Sequence, residues 1–314
     1  MDISQLRTLV HVAELGSLSK AAARLRIAQP ALSRQVRLLE DELGVPLFAR
    51  HGRGMVITEQ GQAALRHAKR ILAEVEALKA GVTGAGASLT GHVAIGLPPT
   101  IADMISVPLA AAFRAAHPGV MVQLVSAYTG YLLDGLHRGE IDLAILYDPR
   151  ATRSLRSRPL MRESLFLIGP GGEGREDGAP MSGKPVPFEA LAAEQLLLPS
   201  DRHGLRIILQ HFATEAGITL DVAIETDSYT ALKDLVRHGY GLTILPLASI
   251  HADIEAGRLT ARPIVDPAPT RRLVLSYPPD RTPSRAASFA GDAVLAIMTD
   301  HVERGIWVGE MLRG

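Results

Sequence analysis

Residues 17–37 read Ser-Leu-Ser-Lys-Ala-Ala-Ala-Arg-Leu-Arg-Ile-Ala-Gln-Pro-Ala-Leu-Ser-Arg-Gln-Val-Arg, and this stretch decides how the rest of the chain is read. Its pattern predicts two short helices with a tight connection. The first starts in the capping region Ser17–Ser19 and runs through Ala21, Ala22 and Leu25, small residues that let another helix approach closely. Pro30 suits the first turn of the second helix, where a missing N–H leaves no bond unmade. From there Leu32, Val36 and Leu39 fall on one face at helical spacing, with Leu43 a turn later. Gln29, Ser33, Arg34 and Arg37 take the opposite side. An outer face carrying an amide, a hydroxyl and two guanidiniums can meet base edges and phosphates in a major groove. The alternative for that helix alone is an ordinary amphipathic surface helix.

The flanks extend the pattern. Residues 3–15 predict a helix with Leu6, Leu9, Val10 and Ala13 inward, ended by Gly16. After Gly44-Val45-Pro46 stops the second helix of the pair, Leu47–Arg50 and Met55–Thr58 read as two strands about the turn His51-Gly52-Arg53-Gly54, a wing. Arg50 and Arg53 at its tip are placed to reach the backbone or the minor groove; the alternative is a solvated hairpin tip. Ser17, Ser19, Lys20, Gln29, Pro30, Ser33, Arg34, Arg37, Arg50 and Arg53 therefore form the candidate DNA-contacting set. Thr58 is a good N-cap for a long helix. Along it Leu65, Ala68, Leu72, Val75 and Val82, with Leu78 beside them, make a heptad-like seam that reads as a dimerisation helix. A monomeric helix lying on its own domain is the other reading.

Gly16-Ser17, Ala21-Ala22, Gln29-Pro30-Ala31-Leu32-Ser33, Leu39-Glu40, Leu43-Gly44 and Leu47-Phe48 together resemble the N-terminal signature of LysR-type transcriptional regulators. The resemblance runs without a gap from Leu6 to about Gly61 and continues more thinly to the C-terminus. It implies an α/β chain with a winged helix-turn-helix head at 1–58, a linker and dimerisation helix at 59–88, and a two-lobe effector domain resembling periplasmic binding proteins at 89–314. It also implies double-stranded promoter DNA, a small-molecule effector and RNA polymerase as partners, and a homodimer or dimer of dimers. Many sequences of this kind carry a hydroxyl residue where Ala28 stands, which would cap the recognition helix. Ile27–Val36 with Leu197-Leu198-Pro199-Ser200 looks closest to the nitrogen-assimilation control branch. Regulators of that branch can act without a coinducer, so an unused cleft is a second expectation.

Composition sets the outer limits. The 314 residues suggest more than one domain, and 47% hydrophobic residues can fill real cores. With no cysteine, disulfides and thiolate metal sites are closed to this chain. No apolar run reaches bilayer length and no signal-peptide core is legible, so a cytoplasmic protein is expected. Net charge is zero. Up to Thr58, however, Arg7, Lys20, Arg24, Arg26, Arg34, Arg37, Arg50 and Arg53 outnumber Asp2, Glu14, Glu40, Asp41 and Glu42, the local surplus that phosphate contact needs.

Beyond Leu89 strands and helices alternate. Strands are predicted at His92–Leu97, Val120–Ala127 and Ile141–Tyr147, with helices at Ile101–Ala116 and Tyr131–Arg138 between them, and an open, mostly parallel sheet follows. A second set comprises Leu165–Gly169, Gln195–Leu198, Leu205–Ala216, Asp221–Thr226, Tyr229–His238 and Leu242–Leu245. Arg272–Tyr277 and a helix from about Ser284 to His301 return to the first. The expected lobes are about 89–163 with 268–314, and about 164–267, hinged near Ser164 and near Ile264–Pro267.

Ligands of open α/β sheets bind beyond the carboxyl ends of strands. Thr100-Ile101, Thr129, Tyr147, Ser200, Arg202, His203, Asp227 and Ser228 occupy such ends and make up the candidate effector set. By resemblance Thr100, Ser200 and Ser228 stand where the family contacts its effectors. Helix N-termini with hydroxyls suit a small anion, most simply a carboxylate, unless the hydroxyls are only N-caps. Asp227 opposes an anion at its end unless Arg202 offsets it. Gly169-Pro170-Gly171-Gly172-Glu173-Gly174 satisfies G-x-G-x-x-G, but the prolines and glycines after it cannot open a helix, so a surface loop is predicted and no dinucleotide. No P-loop, H-E-x-x-H or G-x-S-x-G occurs, the histidines are scattered, and neither a cofactor nor an enzyme is expected. A small-molecule binding protein with a non-functional head is the rival from another class.

Overall fold

Asp2 starts the first helix with a reciprocal cap: its carboxylate accepts the Gln5 N–H at 2.9 Å while the Gln5 side chain accepts the Asp2 N–H at 2.8 Å. This and all that follows comes from a computed structural model, which describes residues 1–51, 54–82, 89–147, 154–171 and 184–312. The chain forms two compact units, Met1–His92 and Val93–Gly314.

In the first unit, α1 (Ile3–Leu15), α2 (Leu18–Leu25) and α3 (Gln29–Leu43) enclose a core of Leu6, Leu9, Val12, Ala21, Ala22, Leu32, Val36 and Leu39. Gly16 and Gly44 end α1 and α3 in the left-handed conformation. Leu43, expected on the buried stripe, is 42% exposed: the last turn of α3 runs past the packed core. The wing strands β1 (Phe48–His51) and β2 (Gly54–Ile57) pair antiparallel, Phe48 opposite Ile57. Two backbone contacts fix the wing. Met55 N–H donates to Gly16 O at 2.9 Å, and Glu40 on α3 accepts the Leu47 and Phe48 N–H groups at 2.8 and 3.2 Å.

Thr58 caps α4 (Glu59–Val82) by accepting the Gly61 N–H at 2.9 Å. A Cβ on Gly61 would lie 2.1 Å from Leu47 O, so only glycine lets helix and wing approach this closely. Of the seam residues, Ala68 and Leu72 face the head's own core. Ala68, fully buried, is not available to a partner, while Leu72 is buried only in part. Ile71 and Leu78, 38% and 66% exposed, lie on another side of α4 with Val75 between them at four- and three-residue steps.

Ala28 is the N-cap of α3 and makes no side-chain cap bond. Its backbone is extended, φ −67° and ψ 137°, as a serine cap requires. Ala28→Ser should therefore stabilise the head by about 1 kcal/mol, read as a rise in its urea midpoint at unchanged m value. An unchanged midpoint would mean that the amides at this end are already satisfied.

The second unit is built on one mixed sheet. Its strands are β3 (Thr90–Leu97), β4 (Gly119–Ser126), β5 (Leu143–Tyr147), β6 (Arg156–Pro170), β7 (Val186–Pro187), β10 (Thr243–Pro246), β11 (Leu259–Val265), β12 (Thr270–Tyr277) and β13 (Gly309–Met311), with order β4-β3-β5-β12-β6-β11-β7. β10 and β13 also pair with β6. A short parallel pair, β8 (Leu196–Leu198) and β9 (Val222–Glu225), completes the strands. Helices α5 (Pro99–Ala116), α6 (Thr129–His137), α7 (Gly204–Glu215), α8 (Tyr229–Arg237), α9 (His251–Glu255) and α10 (Arg285–Glu303) flank them.

The sheet is not mostly parallel. β3 and β5 are parallel, but β12 runs antiparallel to both β5 and β6. The cause is β6, predicted only from Leu165, which begins nine residues earlier at Arg156. Its first part, through Ser164, pairs with β12, and its second part pairs with β10 and β11. One strand thus serves two lobes. Gly169 and Pro170 belong to this strand, opposite Thr260 and Leu259, and residues 172–174 of the glycine-rich motif lie outside the described residues. One lobe packs on Leu132, Leu136, Ile141, Ala144, Leu146 and Val274, the other on a larger cluster around Leu167, Leu197, Leu209 and Ile244. No helix among the described residues is long and apolar enough to cross a membrane.

Candidate nucleic-acid interface and effector cleft

On α3, burial and charge separate cleanly. Leu32, Val36 and Leu39 are at most 6% exposed, while Gln29, Pro30, Arg34 and Arg37 are exposed and Ser33 is half-buried. Ser17 caps α2 by accepting the Lys20 N–H at 3.4 Å, and Lys20 is exposed. Ser19 donates to the Gln29 side-chain oxygen at 3.0 Å, fastening the start of α2 to the start of α3. Arg50 lies on β1, but its side chain and the whole of Arg53 are outside the described residues. The head therefore presents an amide, a hydroxyl and two guanidiniums on one helix face, the donor set that pairs with guanine, adenine and phosphate oxygens.

In the second unit the candidate hydroxyls do not share one role. Only Ser228 is an N-cap, accepting the Ala231 N–H at 3.3 Å. Pro98 and Tyr128 precede α5 and α6 without capping them, and His203 caps α7, its Nδ1 accepting the Leu205 N–H at 3.1 Å. Thr100 instead lies 2.8 Å from the Tyr147 hydroxyl, and Thr129 accepts the Tyr147 N–H at 3.4 Å. Ser200 donates both its N–H and its hydroxyl to the Asp227 carboxylate, at 2.9 and 3.0 Å. Ile101 is corrected: its side chain is 1% exposed in the core and its N–H is bonded to Pro98 O. Arg202 and Ser228 are on the surface.

The cation at the centre of these groups is Arg271, which sequence reasoning missed. It is 4% exposed, opposite Glu163 in the β12–β6 register, and Glu163 is fully buried. Arg271 Nε donates to Glu163 Oε1, Nη2 reaches Thr100 Oγ1 at 3.3 Å, and the guanidinium carbon sits 3.8 Å from the centre of the Tyr147 ring. Burial works against the charge of Arg271, but Glu163 and Tyr147 outweigh it and hold the guanidinium above its ordinary pKa. Burial pushes the Tyr147 phenol well up, so it stays neutral.

From the other lobe, His203 packs edge-on against Tyr128, with ring centres 4.7 Å apart. Burial and then the charge of Arg271 hold its imidazole below the usual value, against the pull of Asp227. The candidate residues are thus linked across the lobes: Thr100 and Tyr147 touch Arg271, Tyr128 touches His203, and His203 feels the charges of Arg271 and Asp227. Glu163 and Arg271 lie 108 positions apart, each beside another charged residue, Arg162 and Arg272, so neither stood out in sequence.

Comparison with known proteins agrees with both units. Residues 3–62 match the bacterial regulatory helix-turn-helix family of lysR type, and residues 86–296 match the LysR substrate binding domain. The chain is 30% identical over 309 residues to the nitrogen assimilation regulatory protein nac of Escherichia coli K12, covering 98% of this chain and 99% of that one. It is 35% identical over 247 residues to nac of Klebsiella aerogenes, 78% of each. Among solved structures, a cysteine mutant of Corynebacterium glutamicum OxyR superposes with a TM-score of 0.66 at 28% identity, covering 96% and 94% of the two chains. The relatives named as nac and OxyR are regulators and not enzymes. The domain order, the fold and these matches make the chain a member of the LysR family of transcriptional regulators.

Proposed function

We propose that this regulator binds promoter DNA in the cytoplasm as a homodimer or dimer of dimers, through α3 and the wing, and answers to a small anion held by Arg271. The observation that carries the DNA reading is the division of α3, with Gln29, Arg34 and Arg37 outward and Leu32, Val36 and Leu39 in the core. The exposed Ile71 and Leu78 on α4, with half-buried Val75 between them, support pairing with a second copy, which would set two heads at a fixed spacing. RNA polymerase is the partner expected of such a regulator at a promoter. The buried guanidinium supports a carboxylate over a neutral effector, because anions and Arg pair bidentately. By differential affinity for open and closed lobes, that anion would shift the arrangement of the heads. Kinship with nac supports a nitrogen-assimilation role.

A second reading, action without a coinducer, is favoured by one feature. Arg271 pairs with Glu163, Ser200 with Asp227 and Thr100 with Tyr147, so the cleft satisfies its own polar groups. A thiol response is closed to this chain, which lacks cysteine, whereas the solved OxyR relative is named for the substitution of a cysteine in its own sequence.

Selection of duplexes from a random library with the full chain tests the DNA reading. A two-fold site with half-sites about one helical turn apart is expected, and log affinity should fall with log salt at a slope of about −0.9 per phosphate contacted. No enrichment and a flat salt response would leave a binding protein with an idle head. A thermal-shift comparison of small carboxylates with their amides tests the effector. A rise for the acid alone supports the anion; no rise with any acid supports the coinducer-free reading.

A further inference from the structure

Beyond α10 the chain makes a tight return. Ile306 and Trp307 N–H groups both donate to His301 O, at 2.9 and 3.0 Å, and the backbone then runs antiparallel to β6 as β13. Ser164 N–H donates to Val308 O at 3.0 Å, Gly309 lies opposite Glu163, and Leu312 N–H donates to Leu160 O at 2.8 Å. This segment crosses β6 where that strand passes from one lobe to the other. Its contacts divide accordingly: Met311 pairs with Met161 in one lobe, and Val308 packs against the core of the other. Residues 306–312 also lie beyond the match to the LysR substrate binding domain, which ends at residue 296.

Trp307, the one tryptophan in the chain, is 1% exposed. Its indole N–H donates to Glu163 Oε2 at 2.7 Å, while Glu163 Oε1 takes Arg271 Nε. A buried carboxylate needs both oxygens satisfied, and a neutral donor does this without drawing Glu163 away from Arg271. Close approach depends on Gly309, where a Cβ would lie 2.4 Å from Arg162 O and 2.6 Å from Met161 Cε.

We propose that residues 306–312 form a strap across the hinge in which Trp307 is a positioning residue for Arg271, acting through Glu163. The chain of contacts runs Thr100–Arg271–Glu163–Trp307, from the cleft to the C-terminal strand. Any change in what the guanidinium holds is therefore felt by the indole and by the strap that bridges the lobes. The proposal rests on reading Arg271 as the cation of the cleft, but its test needs no effector.

The experiment uses the full-length chain labelled with nitrogen-15, in which Trp307 gives a single indole signal. Thr100→Val, changed only at the cleft end, and Arg271→Lys, which keeps the charge but loses the Nε–H bonded to Glu163, should each shift that signal. Trp307→Phe keeps a ring and loses the N–H; it should shift the Arg271 Nε–H signal and speed its exchange with water. Gly309→Val, which displaces the strap without altering the three linked side chains, should do the same. An indole signal unmoved by both cleft variants overturns the proposal. So does a Trp307→Phe protein that melts lower with its Arg271 signal unchanged, since the indole would then only fill space. Failure of every carboxylate in the thermal-shift comparison would leave these results standing.

Discussion

Glu163→Ala should lower the melting temperature of the effector unit by roughly 10 °C. Removing one partner of a buried ion pair leaves the other charge desolvated, a loss of about 3–5 kcal/mol, and each kcal/mol moves a domain of this size by about 2–4 °C. Arg271 is 4% exposed, and without Glu163 its buried charge would lose the carboxylate it is paired with. The loss should be largely reversed in the double variant Glu163→Leu with Arg271→Met, because a packed apolar pair removes the unpaired charge along with its partner. That double variant separates stability from function: it should recover most of the loss, short of about 1–3 kcal/mol for the Trp307 N–H left without its acceptor, and no longer distinguish a carboxylate from its amide. Differential scanning calorimetry of the three proteins decides the matter. A Glu163→Ala protein melting with wild type would mean that Arg271 has another anion or is solvated.

The largest loss of DNA affinity should come from α3. Arg34→Ala should cost about 1–3 kcal/mol of specific binding, about 5- to 150-fold, if its guanidinium reads a base, and should relax preference at one position of the half-site. Arg37→Ala, if it grips phosphate, should weaken all sequences alike and reduce the salt slope by about one. Both side chains are exposed on a helix whose inner face is buried, so neither variant should disturb the fold. Titration of the selected duplex and of a scrambled one, each at several salt concentrations, separates the two roles. Wild-type affinity in both variants would remove α3 from the interface.

The head was readable because its signals are local. Caps, glycine stops and apolar spacing lie within a few residues of the positions they determine, as at Asp2, Gly16, Leu32 and Gly44. The seam on α4 was misread because Ala68 and Leu72 satisfy a heptad as well as they satisfy the head's own core, and spacing alone does not say which neighbour arrives. In the effector unit the alternation of elements was legible, yet the first part of β6 was not. Its run Arg156-Ser157-Arg158-Pro159, and then Arg162-Glu163-Ser164, looks like solvated loop until β12 and β13 lie alongside it. The key site residues share that property. Nothing near Glu163 in sequence says that Arg271 and Trp307 meet it, since each pairing is long-range. Thr100 and Ser200 were singled out as hydroxyls beyond strand ends, with helix capping as the alternative; neither caps, and both bond across to another side chain.

Glu40 has a consequence for how targets are discriminated. Sitting on the recognition helix and accepting the first two amides of the wing, it makes helix and hairpin a single block. On the proposed reading, in which α3 and the wing both grip the duplex, a block of that kind cannot slide one grip to rescue a poor fit of the other. Each half-site would then be met whole or refused, and tolerance between promoters would fall on the interval separating the halves.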